Sequence, residues 1–261
     1  MIMGVLNVTP DSFSDGGRFL DVEAAVAHGI EMAGQGADII DVGGESTRPG
    51  AEAVGLKEEL RRVVPVIEQL QGKIDKFISI DTSKAAVAER ALEAGATIIN
   101  DVTGGRGDPE MLPLAARSEA AFIVMHMQGE PRTMQFSPHY DDVVTEVADF
   151  FLQQYGRILE CGVDPMAMAF DPGIGFGKTM AHNVELLKNL ERLRVEDRPL
   201  VVGVSRKSFL GKLTGAAEME ERLAPTLAFS ALLRARGADV LRVHDVKENA
   251  AAVRIAEAML S

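Results

Sequence analysis

Met166-Ala-Met-Ala-Phe-Asp-Pro-Gly-Ile-Gly-Phe-Gly-Lys178 joins a short apolar run to a loop of one carboxylate, one proline and three glycines. An ordinary turn does not need so many special residues. Gly173, Gly175 and Gly177 let the backbone take positive φ or approach a ligand closely. Asp171 stands where the run emerges, and Lys178 adds a cation beyond the loop. Taken alone, the stretch fits a βα turn with a helix cap as well as it fits a binding loop. The other seven runs decide between them.

Those runs are Ile2–Leu6, Ala37–Val42, Phe77–Ile80, Ala96–Ile99, Ala121–Met125, Leu200–Val204 and Val240–Val243. They are β-branched or otherwise mainly apolar, as parallel strands buried on both faces should be. Helical patterns separate them: Val22–Gln35 opened by Asp21, Leu56–Gln71 kinked or broken at Pro65, and Lys84–Ala94 opened by Thr82 or Ser83. Further helices are expected near Glu110–Arg117 and over Asp142–Glu160, Asn183–Leu193, Glu220–Arg236 and Lys247–Leu260. Starts and stops follow capping chemistry, with Gly36 and Gly95 as terminators. Eight βα units in 261 residues predict an α/β fold, a (β/α)8 TIM barrel forming a single domain over 1–261. A doubly wound sheet is the alternative, because periodicity alone does not show closure.

Polar residues follow every run: Asn7, Gly43-Gly-Glu-Ser46, Asp81, Asn100-Asp101, His126, Asp171, Ser205-Arg-Lys207 and His244-Asp245. Barrel enzymes build their active sites on that face. One or two such residues would be loop solvation; eight of eight predict a site. The loops Thr9–Phe19 and Gly43–Gly55 are long and glycine-rich, as functional loops often are.

Hydrophobic residues make up 46% of the chain and charged ones 25%, with mean hydropathy +0.05. No apolar stretch approaches the ~18 residues that span a bilayer, and no secretory signal is visible. The single cysteine, Cys161, cannot form an internal disulfide and reads as a helix-end residue. A cytoplasmic location is expected. The net charge of −12, without a basic stripe, argues against nucleic acid but not against an anionic small substrate, since a few convergent cations reverse a local potential.

Asp81, Asn100 and Asp171, from three strands, suit a flat heterocycle with several N–H donors, because carboxylates accept paired bonds and an amide both accepts and donates. Either carboxylate could instead cap the helix that follows. Arg48, Lys207, Arg242 and His244 supply cations at the ends of the second, seventh and eighth runs, where barrels often bind phosphate. Asn7, with Asp11 nearby, is a candidate oxygen ligand for Mg2+, which takes few protein ligands and fills the rest with water and phosphate. Displacement of a pyrophosphate leaving group fits this set better than acid–base hydrolysis.

Met3-Gly-Val-Leu-Asn-Val-Thr-Pro-Asp-Ser-Phe-Ser-Asp-Gly-Gly17 and Asp41-Val-Gly-Gly-Glu-Ser-Thr-Arg-Pro-Gly50 resemble the first two signatures of the dihydropteroate synthase family. Ile80-Asp-Thr82, Ile99-Asn-Asp101, Met125-His-Met-Gln-Gly-Glu-Pro131, Asp171–Lys178, Gly203-Val-Ser-Arg-Lys-Ser208 and Arg242-Val-His-Asp245 resemble the later ones, in order, over nearly the whole chain. The resemblance implies an enzyme that joins 4-aminobenzoate to 6-hydroxymethyl-7,8-dihydropterin pyrophosphate through an SN1-like loss of pyrophosphate. It implies Asp81, Asn100, Asp171 and Lys207 around the pterin, with Met125 and Gly203 lining the pocket. Pyrophosphate and Mg2+ would fall to Asn7, Arg48, Arg242 and His244. Thr47, Arg48, Pro49, Phe176 and Ser208 would form the 4-aminobenzoate side. Asp81, Lys207, Arg242 and His244 would carry catalysis, and Lys178 would stand aside as the weaker cation. A homodimer through the last helices, competition by sulfonamides and closure of the two long loops are further implications. A pterin-binding methyltransferase would not need Ser46-Thr-Arg-Pro49 or Ser205-Arg-Lys-Ser208; a silent paralogue is the other alternative. Family members usually carry some ten more residues before the first signature. The expected consequence of a trimmed or differently started chain is lower stability rather than altered chemistry.

Overall fold

The structure, a computed structural model, describes residues 1–9, 18–46, 53–129, 133–216 and 218–260, with 18–21 described for their backbone alone. The strands are β1 (Ile2–Asn7), β2 (Ile39–Gly43), β3 (Phe77–Asp81), β4 (Ile98–Asp101), β5 (Ala121–Met125), β6 (Met168–Asp171), β7 (Val201–Val202) and β8 (Val240–Val243). All pair in parallel, in the order β6-β5-β4-β3-β2-β1-β8-β7. A parallel bridge between Phe170 and Leu200 joins the two ends. The sheet closes on itself, so the doubly wound alternative is excluded.

Outside it run α1 (Arg18–Gln35), α2 (Leu56–Leu70), α3 (Ala85–Glu93), α4 (Met111–Ser118), α5 (Val143–Glu160), α6 (Met180–Lys188), α7 (Ser208–Thr214), α8 (Leu223–Ala235) and α9 (Val246–Leu260). Several boundaries differ from the sequence expectation, the first being that α1 begins at Arg18, so that Asp21 lies inside it and does not open it. Pro65 sits inside α2, which runs through it; Val63, Val66, Ile67 and Leu70 bury one stripe, and that packing outweighs one missing backbone bond. The expected strand from Met166 begins only at Met168, because Asp164 caps a short 3-10 turn over Pro165–Ala167. The helix expected over 183–193 starts earlier, where Thr179 and His182 form a capping box, and ends in a separate 3-10 turn at Leu190–Leu193. Helix α7 was not expected: Phe209 and Leu210 anchor it although Gly211 lowers its propensity.

Alternation along the strands explains how one barrel has two cores. Leu6, Ile40, Val42, Ile80, Ile99, Phe122, Val124 and Phe170 face outward and pack with the helices. Met3, Ile39, Ile98, Ile123, Val201 and Val240 form a separate apolar plug within the barrel. Two residues further along the same strands come Asp41, Asn100, Met125, Gly203 and Arg242. One step of the pleat, roughly 7 Å, therefore takes the interior from apolar floor to polar wall.

Candidate active site

At the C-terminal mouth lies a cavity of about 800 Å3, lined by Asn7, Glu45, Ser46, Asp81, Phe176, Lys178, Ser205, Arg206, Lys207, Ser208, Arg242 and His244 among others. Its floor is a charge assembly. Arg242 donates from Nε to Asp41 Oδ2 at 2.7 Å and from Nη2 to Asp81 Oδ2 at 2.6 Å. Asn100 Nδ2 donates to the same Asp41 oxygen at 3.1 Å. Asp41 is fully buried, and its Oδ1 is buried with no hydrogen-bond partner among the described residues. Burial pushes the Asp81 carboxyl up to about 7 against the pull of Arg242, with Asp41, Asp101 and Glu59 adding repulsion. The two carboxylates in turn hold Arg242 above its ordinary value, although burial works against its charge. The guanidinium spends two of its five N–H groups on these two bonds.

Asp171 stands at the end of β6, buried, with Oδ1 accepting from the Gly173 amide at 2.7 Å. Burial pushes its carboxyl upward, while Lys207 and Gly173 oppose the shift. Lys207 donates to the Ile174 carbonyl, and its Nζ lies 4.8 Å from the centroid of the Phe176 ring. Burial lowers Lys207 to about 8, though Asp171 favours its charge. Phe176 also packs with Val102, Met125, Met127 and Met134. His244 meets Ser205 through its backbone N–H and its Nδ1, at 3.2 and 3.1 Å to the hydroxyl.

The structure thus gathers Asn7, Asp81, Phe176, Lys207, Ser208, Arg242 and His244 on the cavity wall. Asn100, Met125, Asp171 and Gly203 lie buried around it. Thr47, Arg48, Pro49 and Asp11 lie outside the described residues. His126, one of the eight polar strand ends, does not line the cavity. It is buried edge-on to Phe150 at 4.9 Å, and desolvation pushes its ring down to about 2, so it is neutral. Asp245 also turns aside: it takes both Nε and Nη2 of Arg206, tying the loops after β7 and β8 together.

Three features escape a reading of the sequence as strand ends. Asp41 lies inside an apolar run, yet its spacing of two from Ile39 marks it as inward-facing. Lys178, expected to stand aside as the weaker cation, is buried at the cavity wall with its Nζ turned to protein acceptors. Glu45 forms an ion pair with Lys84, which also reaches the buried Glu59 at 2.6 Å; Thr82 donates to Glu59 at 2.6 Å rather than capping α3. Glu59, with no resemblance to a motif, carried no signal.

Among the described residues no three His, Cys, Asp or Glu side chains converge on a metal. A metal here would rely on Asn7, water and phosphate oxygens, a donor set that suits magnesium.

A closed barrel with carboxylates, an amide and cations at its C-terminal mouth is the architecture of a pterin-binding enzyme, and the family model of that description matches residues 3–244. The dihydropteroate synthase of Escherichia coli strain K12 is 46% identical over 260 residues, covering 100% of this chain and 92% of its own. A Xanthomonas albilineans dihydropteroate synthase solved with 4-aminobenzoic acid is 46% identical, with TM-score 0.94 and coverage of 100% and 93%. A Yersinia pestis dihydropteroate synthase in a sulfonamide drug complex is 45% identical, also with TM-score 0.94, covering 100% and 94%. The chain belongs to the dihydropteroate synthase family, transferases of folate biosynthesis.

Proposed function

We propose that this chain, as one domain over 1–261, joins 4-aminobenzoate to 6-hydroxymethyl-7,8-dihydropterin pyrophosphate and releases 7,8-dihydropteroate and pyrophosphate. The observation that carries the reading is the assembly of Asp41, Asp81, Asn100 and Arg242 beneath the cavity, with Asp171 and Lys207 beside it. A ring edge rich in N–H and carbonyl groups matches those acceptors and donors. Asp81, Asn100, Asp171 and Lys207 hold the pterin, and Met125 and Gly203 line its pocket. Asn7, Arg48, Arg242 and His244 receive the pyrophosphate. Thr47, Arg48, Pro49, Phe176 and Ser208 receive 4-aminobenzoate.

The C–O bond to pyrophosphate breaks first, and its electron pair leaves with the phosphate oxygen. A carboxylate among low-dielectric walls stabilises the pterin cation that remains, and Asp81 is placed for that. The arylamine nitrogen then forms the C–N bond and gives its proton to solvent or to pyrophosphate. Mg2+, when bound, supplies charge neutralisation to the leaving group, with Asn7 as its protein oxygen. Exclusion of water protects the cation.

A homodimer through α8 and α9 is part of the reading, supported by Leu232, Ile255, Met259 and Leu260, which are exposed there. So is a cytoplasmic location; no helix among the described residues is long and apolar enough to cross a membrane. The test incubates the chain with dihydropterin pyrophosphate, 4-aminobenzoate and Mg2+. Dihydropteroate is expected. Retained pterin binding without product would leave a silent paralogue instead.

A further inference from the structure

Lys178 is 2% exposed, and its Nζ has four acceptors within reach. They are His126 Nδ1 at 2.9 Å and the carbonyls of Phe176 at 3.0 Å, Gly173 at 3.1 Å and His126 at 3.3 Å. Because an ammonium has three N–H groups, these partners leave none for a substrate. The segment it holds is closely packed. A Cβ added at Gly173 would lie 1.9 Å from the His126 carbonyl, and one at Gly177 would lie 2.4 Å from that of Gln128. Asp171 takes the Gly173 amide and the buried Asn183 takes the Gly175 amide, at 2.7 Å each. Three buried side chains thus satisfy a loop backbone that would otherwise look to solvent. Between the carbonyls gripped by Lys178 lie the Ile174 carbonyl that anchors Lys207 and the amide of Phe176. Desolvation brings Lys178 down to about 7 against the attraction of Asp171. Such a buried amine is costly, and packing alone would be served as well by methionine.

We propose that Lys178 is a positioning residue for both substrates. By gripping the Gly173, Phe176 and His126 carbonyls, it holds Asp171 and Lys207 in place for the pterin and the Phe176 ring in place for 4-aminobenzoate. The proposal rests on the site reading above. It predicts that Lys178→Met, which keeps the volume and removes the donors, raises KM for both substrates. The change should be on the order of ten- to a hundredfold, since displacement by about 1 Å is enough for that. Coupling separates this from a general loss of structure. In the Lys178→Met background, Phe176→Ala should change the 4-aminobenzoate KM by less than about twofold, because contacting groups that act together are not additive. Hydrogen exchange at the Gly175 and Phe176 amides should quicken in Lys178→Met while the barrel strands stay protected. Lys178→Gln, which keeps two donors, should restore part of the KM, and it replaces Lys178→Met in every comparison if the latter fails to fold.

KM values within twofold of the parent, or effects of Lys178 and Phe176 that multiply, overturn the proposal. If the parent chain makes no dihydropteroate, the site reading fails by itself. The grip is then judged by amide exchange alone, and unchanged exchange refutes it.

Discussion

Removing the guanidinium from the cavity floor, as in Arg242→Leu, should destabilise the protein in a pH-dependent way. Arg242 is the shared partner of Asp41 and Asp81, with carboxylates 0% and 7% exposed. Removing one member of a buried ion pair costs ~3–5 kcal/mol, because the remaining charge has neither water nor partner. Two acids are stranded here, but Asp81, which burial already pushes up to about 7, takes up a proton readily, so the lower figure, about 3 kcal/mol at pH 7, is expected. For a chain of this size that is a fall of roughly 6–12 °C in Tm. In the variant the Asp81 carboxyl, which burial already pushes up to about 7, loses the pull of Arg242 and keeps a native pKa above its unfolded one. A carboxyl shifted that way stabilises fully below its unfolded value, near 4, and loses that stabilisation as pH rises through the native value. The deficit should therefore shrink as pH falls from 8 towards 5, and Asp41→Asn in the same chain should recover part of it. Urea unfolding followed by circular dichroism at several pH values measures this. A loss below about 1 kcal/mol, or one equal at pH 5 and pH 8, would falsify the claim that the floor is an electrostatic unit.

Asp81→Ala should cut kcat by on the order of a hundredfold or more while leaving the protein folded, since it removes the carboxylate placed beside developing charge; steady-state kinetics beside a melting curve checks both parts. With Lys207 brought down to about 8, its cation is present below that pH and lost above it. The pterin-dependent kcat/KM should therefore fall as pH rises through 8, and Lys207→Arg should move that limb upward even if the rate is lower. Gly173→Ala should destabilise by roughly 2 kcal/mol or more, because its Cβ would meet the His126 carbonyl at 1.9 Å from a backbone already at φ +62°; wild-type stability in that variant contradicts the close packing of the two loops.

The fold was legible because parallel strands buried on both faces are mainly apolar, and helix ends carry capping chemistry. Ile39, Ile98 and Val240 also point inward, each two residues before a polar residue of the wall, so Asp41 could have been found by the same alternation. Its apolar neighbours Ile39, Ile40 and Val42 mask it. The reach of a long side chain is harder to read. Nothing in Gly177-Lys178-Thr179 says that Lys178 turns back under its own loop to meet His126, a partner 52 residues away. His126 and Asp245 show the converse, since a polar residue at a strand end can be used by a neighbouring loop instead of the cavity. Lys84, Glu45 and Glu59 lie on three segments that only the packing of neighbouring βα units brings together. Helix α7 is short, contains Gly211 and owes its formation to Phe209 and Leu210, so local propensity could not announce it.

The central claim is that carboxylates, amide and cations at this barrel mouth hold a dihydropterin pyrophosphate for attack by an arylamine. Quenched-flow sampling with radiolabelled 4-aminobenzoate, dihydropterin pyrophosphate and Mg2+ tests it most directly. Label should appear in 7,8-dihydropteroate together with one equivalent of pyrophosphate, and should be lost in Asp81→Ala. Pyrophosphate release without labelled product, or equal product from Asp81→Ala, would contradict it.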